Sequence, residues 1–303
     1  MELNLIKLIF ASFVAVIVVI GSLINWFEKY LPVILPQTFR YGKFAYQGKP
    51  SKLWVIEVPK SWFKHFYVFA SVYSLYALYL AIDVYMYGGK PPAWFVSYLD
   101  FFCGSNRKTE ANRFSVLVVL TLMTLQSFRR GYETWFVSVF SDVKINITQY
   151  IVGYTHYWGT ITTILAEAEG FKKSRTFIPE SDTSFSYVQI FAVILFIYAW
   201  INQYQAGKTL ANLRKNRSGA VVTKEHKIPR GGLFEYVSSP HMTCEMLMYI
   251  ALSFILFNNY TFKYILFWVV SNQLESSLLS HWWYLNTFKN YPKNRKAIIP
   301  FVL

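Results

Sequence analysis

The sequence predicts an all-α, multi-pass integral membrane protein of about seven transmembrane helices, with no Rossmann domain. Three observations carry that prediction. Of the 303 residues, 54% are hydrophobic and only 15% are charged, where a soluble domain carries about 25% charged residues. Apolar runs approaching the roughly 20 residues that cross a bilayer recur along the chain. Aromatic residues make up 20% of the sequence, an excess suited to the two membrane–water interfaces.

Taken in order, residues 5–26 form an unbroken apolar run. It is too long for a signal-peptide core and no small-x-small cleavage pattern follows it, so a retained helix is expected. Residues 66–87 predict a second span. Residues 114–128 predict a third, short by bilayer standards, and residues 135–158 a fourth, interrupted by Asp142, Lys144 and Asn146. Windows 187–205, 242–257 and 262–283 complete the set on length and apolarity.

The formal charge is +14, from 30 Lys+Arg against 16 Asp+Glu. The basic residues cluster between the apolar runs, in segments 29–64 and 207–230 and in the tail with Lys289, Lys293, Arg295 and Lys296. That placement argues for lipid headgroups, membrane orientation or an anionic cofactor, and against nucleic acid. A seven-span chain puts all three segments on one side, which the positive-inside rule makes cytosolic, with the N-terminus facing the lumen. Cys103, expected in a loop, and Cys244, in an apolar run, predict no disulfide, and no Cys/His cluster has zinc spacing. Asn146, Asn216 and Asn259 start Asn-x-Ser/Thr sequons, but their positions predict no structural glycan.

Polar groups inside apolar segments carry the functional reading, because hydrocarbon penalises them by several kcal/mol each unless they meet partners, water or a ligand. His241 and Glu245 are four residues apart and share a helical face. Arg230-Gly231-Gly232 lies just before them, combining a fork for phosphate with backbone that a ligand can approach closely. Gln273, Ser277, Ser280/His281 and Tyr284 form one polar stripe on the last span; gluing helices together is the alternative reading of such a stripe. Glu57 stands among apolar neighbours in Trp54-Val55-Ile56-Glu57-Val58-Pro59. Arg129, Arg130 and Glu133 read as a positive-inside anchor between spans. No G-x-G-x-x-G, P-loop, H-E-x-x-H or G-x-S-x-G occurs, so a nucleotide would have to be held by the bundle itself. On these residues alone, a lipid transporter or lipid-binding membrane protein stays open beside an enzyme, and so does a methyltransferase holding S-adenosylmethionine.

Several of these motifs together are familiar. The run Ile228-Pro229-Arg230-Gly231-Gly232-Leu233-Phe234-Glu235-Tyr236-Val237-Ser238, followed by Glu245, Tyr284 and Tyr291-Pro292-Lys293-x-Arg295-Lys296-Ala297-x-Ile299-Pro300-Phe301, resembles the C-terminal domain of the steroid 5α-reductase family. Asn212-Leu213-Arg214-Lys215-Asn216, Ser238-Ser239-Pro240-His241 and Ser280-His281 resemble its polyprenol reductase branch. The likeness is specific over residues 200–303 and rests on motifs from Glu57 to Tyr150.

That resemblance implies an endoplasmic-reticulum enzyme whose 1–303 chain is a single membrane-embedded domain. Residues 28–150 would lie on the substrate side, and 186–303 would bind NADPH in a cytosol-facing cavity. It implies hydride transfer to the α-isoprene unit of a polyprenoid lipid, as polyprenol or polyprenal, yielding a precursor of dolichol for protein N-glycosylation; 3-oxo-Δ4-steroid reduction is the alternative within the family. Membrane lipids are the other expected partners, with no obligate protein partner. Asn202, Arg214, His241, Glu245 and Tyr284 look like cofactor-contacting positions, with Arg230 and His281 beside them. Glu57 resembles the acid that steroid-reducing members place at the substrate carbonyl. Those members pair it with a Tyr ahead of Phe-x-Arg, where Ser127 stands here, so Tyr132 is the nearby candidate for the second catalytic position. They also carry a basic residue where Ser276 stands. Hydride adds readily to a C=C only when charge can delocalise onto a polarised oxygen, which favours the aldehyde over the alcohol as acceptor.

Overall fold

A computed structural model of the chain describes residues 3–41, 45–46, 48–49, 56–173 and 186–303. Among the described residues the long helices are α1 (Leu5–Phe27), α3 (Phe63–Met86), α5 (Arg113–Tyr132), α6 (Ile147–Ala166), α7 (Tyr187–Asn212), α8 (Pro240–Ile255) and α9 (Tyr260–Thr287). Two shorter helices, α2 (Ile34–Phe39) and α4 (Ala93–Cys103), join them. Short polar side chains set most of the starts. Asn4, Asn112, Asn146 and Asn259 each accept a bond from the first turn of α1, α5, α6 and α9, and Ser186 with Gln189 forms a capping box on α7. Such caps satisfy backbone donors that a helix otherwise leaves unpaired. Two of the three sequon asparagines are therefore caps, Asn146 and Asn259, and both are buried.

The fourth expected span is corrected. Residues 135–146 are not helical as a run: α5 ends in a π-turn over Glu133–Val137, the chain extends, and Lys144–Asn146 forms strand β2 before α6 begins. Asp142, Lys144 and Asn146 are the cause, since Asn146 caps α6 and starts the helix there. The third span is longer than expected, its helix running on through Arg129 and Arg130 to Tyr132. Strand β1 (Glu57–Pro59) pairs antiparallel with β2, placing Glu57 opposite Asn146 and Pro59 opposite Lys144. Cys103 closes α4 rather than sitting in a loop, and both cysteines are buried and free.

The long helices alternate in direction. At one end the Glu167 carboxylate accepts from the backbone of Tyr260 and Thr261, and Asn4 reaches Cys103 and Thr261. At the other end lie the ribbon β1–β2, the segment after α7 and the C-terminal tail. The main pairings are α7 along α8, α3 along α5 and α1 along α9. The last is close: a Cβ on Gly21 would meet Glu275 Cγ at 2.9 Å. Glu275 accepts there from Ser22 Oγ at 2.8 Å and Asn25 Nδ2 at 2.7 Å, so this carboxylate joins helices.

Three helices are long and apolar enough to cross a membrane: Leu5–Tyr30, Lys60–Met86 and Tyr187–Asn212. Their large outward side chains, among them Val19, Val72, Tyr79, Phe191 and Ile194, are exposed, as a hydrocarbon solvent requires.

Candidate active site

The centre of the bundle holds a polar seam made by α5, α7 and α8. Gln126, Arg129, Arg130 and Glu133 follow one face of α5 at helical spacing and its π-turn. Arg129 pairs with Glu133 at 3.1 Å, and Arg130 pairs with Glu133 and donates to the Tyr67 hydroxyl at 2.9 Å. Both faces of the pairing are shielded, with Arg129 9% and Glu133 2% exposed. The sequence reading of these charges as a surface anchor is thus overturned: Arg129 and Glu133 are buried, Arg130 is partly buried, and the two guanidiniums share the Glu133 carboxylate with Glu245 as the nearby second negative charge, a pairing that a low-dielectric interior requires. Arg129 also donates to Gln126 Oε1 at 2.8 Å and to Gln203 Oε1, and its guanidinium lies 4.8 Å from the Trp200 ring centre.

Gln203 of α7 carries the seam on to α8. Its amide nitrogen donates to the Glu245 carboxylate and, at 3.2 Å, to the His241 carbonyl. Gln126 reaches the same Glu245 oxygen at 3.4 Å. One amide from α7 therefore meets the first-turn backbone of α8 at His241 and the Glu245 side chain one turn on. Asn202, the neighbouring position, is turned away and donates back to the Tyr198 carbonyl at 2.8 Å; consecutive helical residues point about 100° apart, so only one of the two faces the seam.

Arg214, just past α7, is held by the Val139 carbonyl at 2.6 Å and His226 Nε2 at 3.1 Å. Burial pulls its guanidinium pKa below the usual arginine range. It lies within electrostatic reach of Tyr284 and of Lys60. Among the described residues no carboxylate pairs with Lys60 or Arg214. Two neighbouring cations without a counter-charge repel each other unless an anion joins them. The loop ahead of α8 presents bare backbone, since Gly231 and Gly232 have φ of 86° and 56° and open space where a side chain would begin. These features fit the phosphates of a dinucleotide. Arg230 is exposed at the same loop.

Tyr284 and His281 belong to a clasp. The Tyr284 ring stacks on Tyr291 at 5.1 Å, and Ser238 Oγ joins His281 Nδ1 at 2.7 Å to the Tyr291 hydroxyl at 2.6 Å. Arg295, 1% exposed, donates to the Pro229 carbonyl at 2.9 Å and to Glu235 at 3.3 Å. The Gly231 N–H on Glu235 at 2.6 Å holds that carboxyl below its ordinary pKa. Much of the polar stripe on α9 is glue: Ser280 takes a bond from Ser239, and Ser277 bonds its own helix.

Glu57 is exposed in a cavity of about 480 Å³ lined with Tyr41, Arg40, Asp142 and Lys144. Its surroundings there are polar rather than apolar; Trp54 and Val55 lie outside the described residues. The Tyr41 side chain is 9% exposed, and among the described residues its hydroxyl has no hydrogen bond of good geometry. Burial, then the Glu57 charge beside it, push the phenol pKa upward, with Asn146 acting the other way. Tyr132 is 54% exposed with its ring against Phe136, and no contact joins it to Glu57 among the described residues. Sequence reasoning missed Tyr41, Lys60, Gln126 and Gln203. For the two glutamines a signal existed, namely amides on the faces that α5 and α7 turn inward.

Comparison with known proteins agrees with this picture. A family profile described as 3-oxo-5-alpha-steroid 4-dehydrogenase matches residues 145–303. A polyprenal reductase of Drosophila melanogaster is 42% identical over 308 aligned positions, covering 100% of this chain and 94% of that one. Polyprenal reductases of Homo sapiens and Caenorhabditis elegans are 31% and 32% identical, each over 89% of this chain and over 86% and 88% of their own. The inward-turned amides and carboxylates of α5, α7 and α8, the bare glycine loop and likeness along the whole length lead to one assignment: the chain belongs to the steroid 5α-reductase family, and it is a reductase.

Proposed function

We propose that this reductase uses NADPH to saturate the α-isoprene double bond of polyprenal, on the route to dolichol. We place it in the endoplasmic-reticulum membrane as a seven-span protein with its cofactor cleft facing the cytosol. The single observation that carries the reading is 42% identity to a fly polyprenal reductase along the entire chain. The seven long helices have room for that count. In this reading residues 28–150 serve the substrate and 186–303 hold the cofactor.

The bound nicotinamide supplies a hydride. Lys60, Arg214 and Arg230 would hold its phosphates, and Glu245, fixed by Gln203, would accept from an amide donor. His241, Tyr284 and His281 would shape and close the same corner, while Asn202 would have to leave its bond to the Tyr198 carbonyl to join them. Glu57 and Tyr41 share the cavity where the substrate oxygen would sit. A proton from Tyr41 or Glu57 would meet the charge that hydride at the β carbon puts on the carbonyl oxygen, and its return to the α carbon would complete the addition. An alcohol lacks that conjugated oxygen, so the aldehyde is the substrate. The outward apolar faces leave a long prenyl tail in the bilayer rather than in a closed pocket.

The test is purified protein in lipid nanodiscs with NADPH and, separately, polyprenal, polyprenol or a 3-oxo-Δ4 steroid, with products weighed by mass spectrometry. Saturated aldehyde from polyprenal alone is expected. Steroid turnover equal to or above that of polyprenal overturns the substrate assignment, and substrate-independent indifference to NADPH overturns the cofactor assignment.

A further inference from the structure

We infer that Gln203 is the positioning residue of the cofactor site: its amide, saturated on every side, aims the Glu245 carboxylate at the ligand and ties it to the buried charges of α5. The inference rests on the NADPH reading above and adds a residue that neither the resemblance nor the comparisons assign.

The geometry is unusual for a glutamine. A primary amide has two donors and two principal acceptor directions, and here all are used. The nitrogen donates to Glu245 and to the His241 carbonyl, and the oxygen accepts from Gln126 at 3.0 Å and from Arg129. The side chain is 4% exposed, so no water replaces a lost partner. Gln203 thus joins three helices through one planar group: α5 through Gln126 and Arg129, α7 through its own backbone, and α8 through residues 241 and 245. The charged and titratable groups around it and Glu245 are Arg129, with Glu133 and Arg130 behind it, from α5, Tyr157 from α6, and His241, Cys244, Glu245 and Tyr249 from α8. A carboxylate with only one oriented donor chooses its rotamer freely; one clamped by Gln203 and Gln126 keeps one oxygen committed and leaves the other to a ligand.

Gln203→Glu tests this, because it keeps the shape and the acceptor oxygen while turning the donor into a second carboxylate opposite Glu245. Affinity for NADPH, read by quenching of tryptophan fluorescence, is expected to weaken by about tenfold or more near neutral pH, the scale of one lost charge-assisted bond. It is expected to recover as pH falls from about 8 to about 6, because a like-charged pair raises the pKa of one member and the shared proton restores a donor. The wild-type titration over the same range corrects for His241. In the exchange variant Gln203→Glu/Glu245→Gln the donor–acceptor bond is restored in reverse, so the acquired pH dependence disappears while affinity stays weak. That variant also decides the matter if the single substitution does not fold. Wild-type affinity without added pH dependence in Gln203→Glu, or wild-type affinity in the exchange variant, overturns the inference. Failure of the wild-type protein to bind NADPH overturns the cofactor reading itself.

Discussion

Tyr41 and Glu57 stand side by side in one cavity although 15 residues separate them, and the phenol hydroxyl is buried while the carboxylate is exposed. The β1–β2 ribbon brings this about by holding Glu57 opposite Asn146, whose side chain faces the same hydroxyl.

Removing either acid should therefore slow turnover without loosening the cofactor. Glu57→Gln is expected to lower kcat by about a hundredfold, the usual scale for a lost acid–base group, and Tyr41→Phe by about tenfold. NADPH affinity should stay within about twofold, as neither touches the phosphate corner. Steady-state kinetics on polyprenal beside fluorescence titration separate the two effects; unchanged kcat in Glu57→Gln removes its catalytic role.

Tyr132→Phe offers the contrast. Its hydroxyl lies on an exposed ring tilted against Phe136, and a surface change of this size alters little. Turnover within about twofold of wild type is expected; a loss as deep as that of Tyr41→Phe would return the second catalytic position to Tyr132.

Cofactor affinity should fall in Glu245→Ala and Arg214→Ala, by about ten- to a hundredfold each, the range for bonds to charged groups. Arg214→Ala should also flatten the dependence of NADPH binding on salt, because a phosphate contact is screened by ions. Both proteins should elute as folded, monodisperse species from size exclusion in detergent. Wild-type-like affinity in both refutes the phosphate corner and the Glu245 contact together.

The C-terminal clasp predicts an acid-sensitive element. The Gly231 N–H, with Arg295 behind it, holds the Glu235 pKa below its ordinary value of 4.5. Its stabilisation is then complete above that ordinary value and is lost as pH falls through the lower folded one. Glu235→Gln should remove this acid dependence from thermal unfolding curves. Arg295→Ala, which strips bonds from the Pro229 carbonyl and Glu235 and leaves a void beside Tyr291, should cost on the order of 2 kcal/mol. An unaltered melting temperature in Arg295→Ala would show that the tail is held by something else.

Much of the architecture was legible in the chain itself. Apolar run length located the long helices, and Asn146 and Asn259 read as sequons turn out to be helix caps, a role that a local Asn–backbone bond determines. The face shared by His241 and Glu245 followed from helical spacing alone. Where the reading failed, long-range partners decided. Residues 135–146 are apolar enough on average to suggest a span, but Asn146 caps a helix that starts later and Lys144 pairs across a ribbon with Pro59. Arg129, Arg130 and Glu133 sit at the end of an apolar run as surface anchors do, and only the packing of α5 against its neighbours buries Arg129 and Glu133 and half-covers Arg130. Gln203 and Asn202 are adjacent amides that no local rule ranks; the rotation of α7 against α8 gives the seam to the first and leaves the second bonded to its own helix. Periodicity and capping are properties of a few consecutive residues, so sequence alone determined the helices. Burial, and the partner each buried polar group finds, depend on segments a hundred residues apart, so the site itself was decided by the tertiary fold.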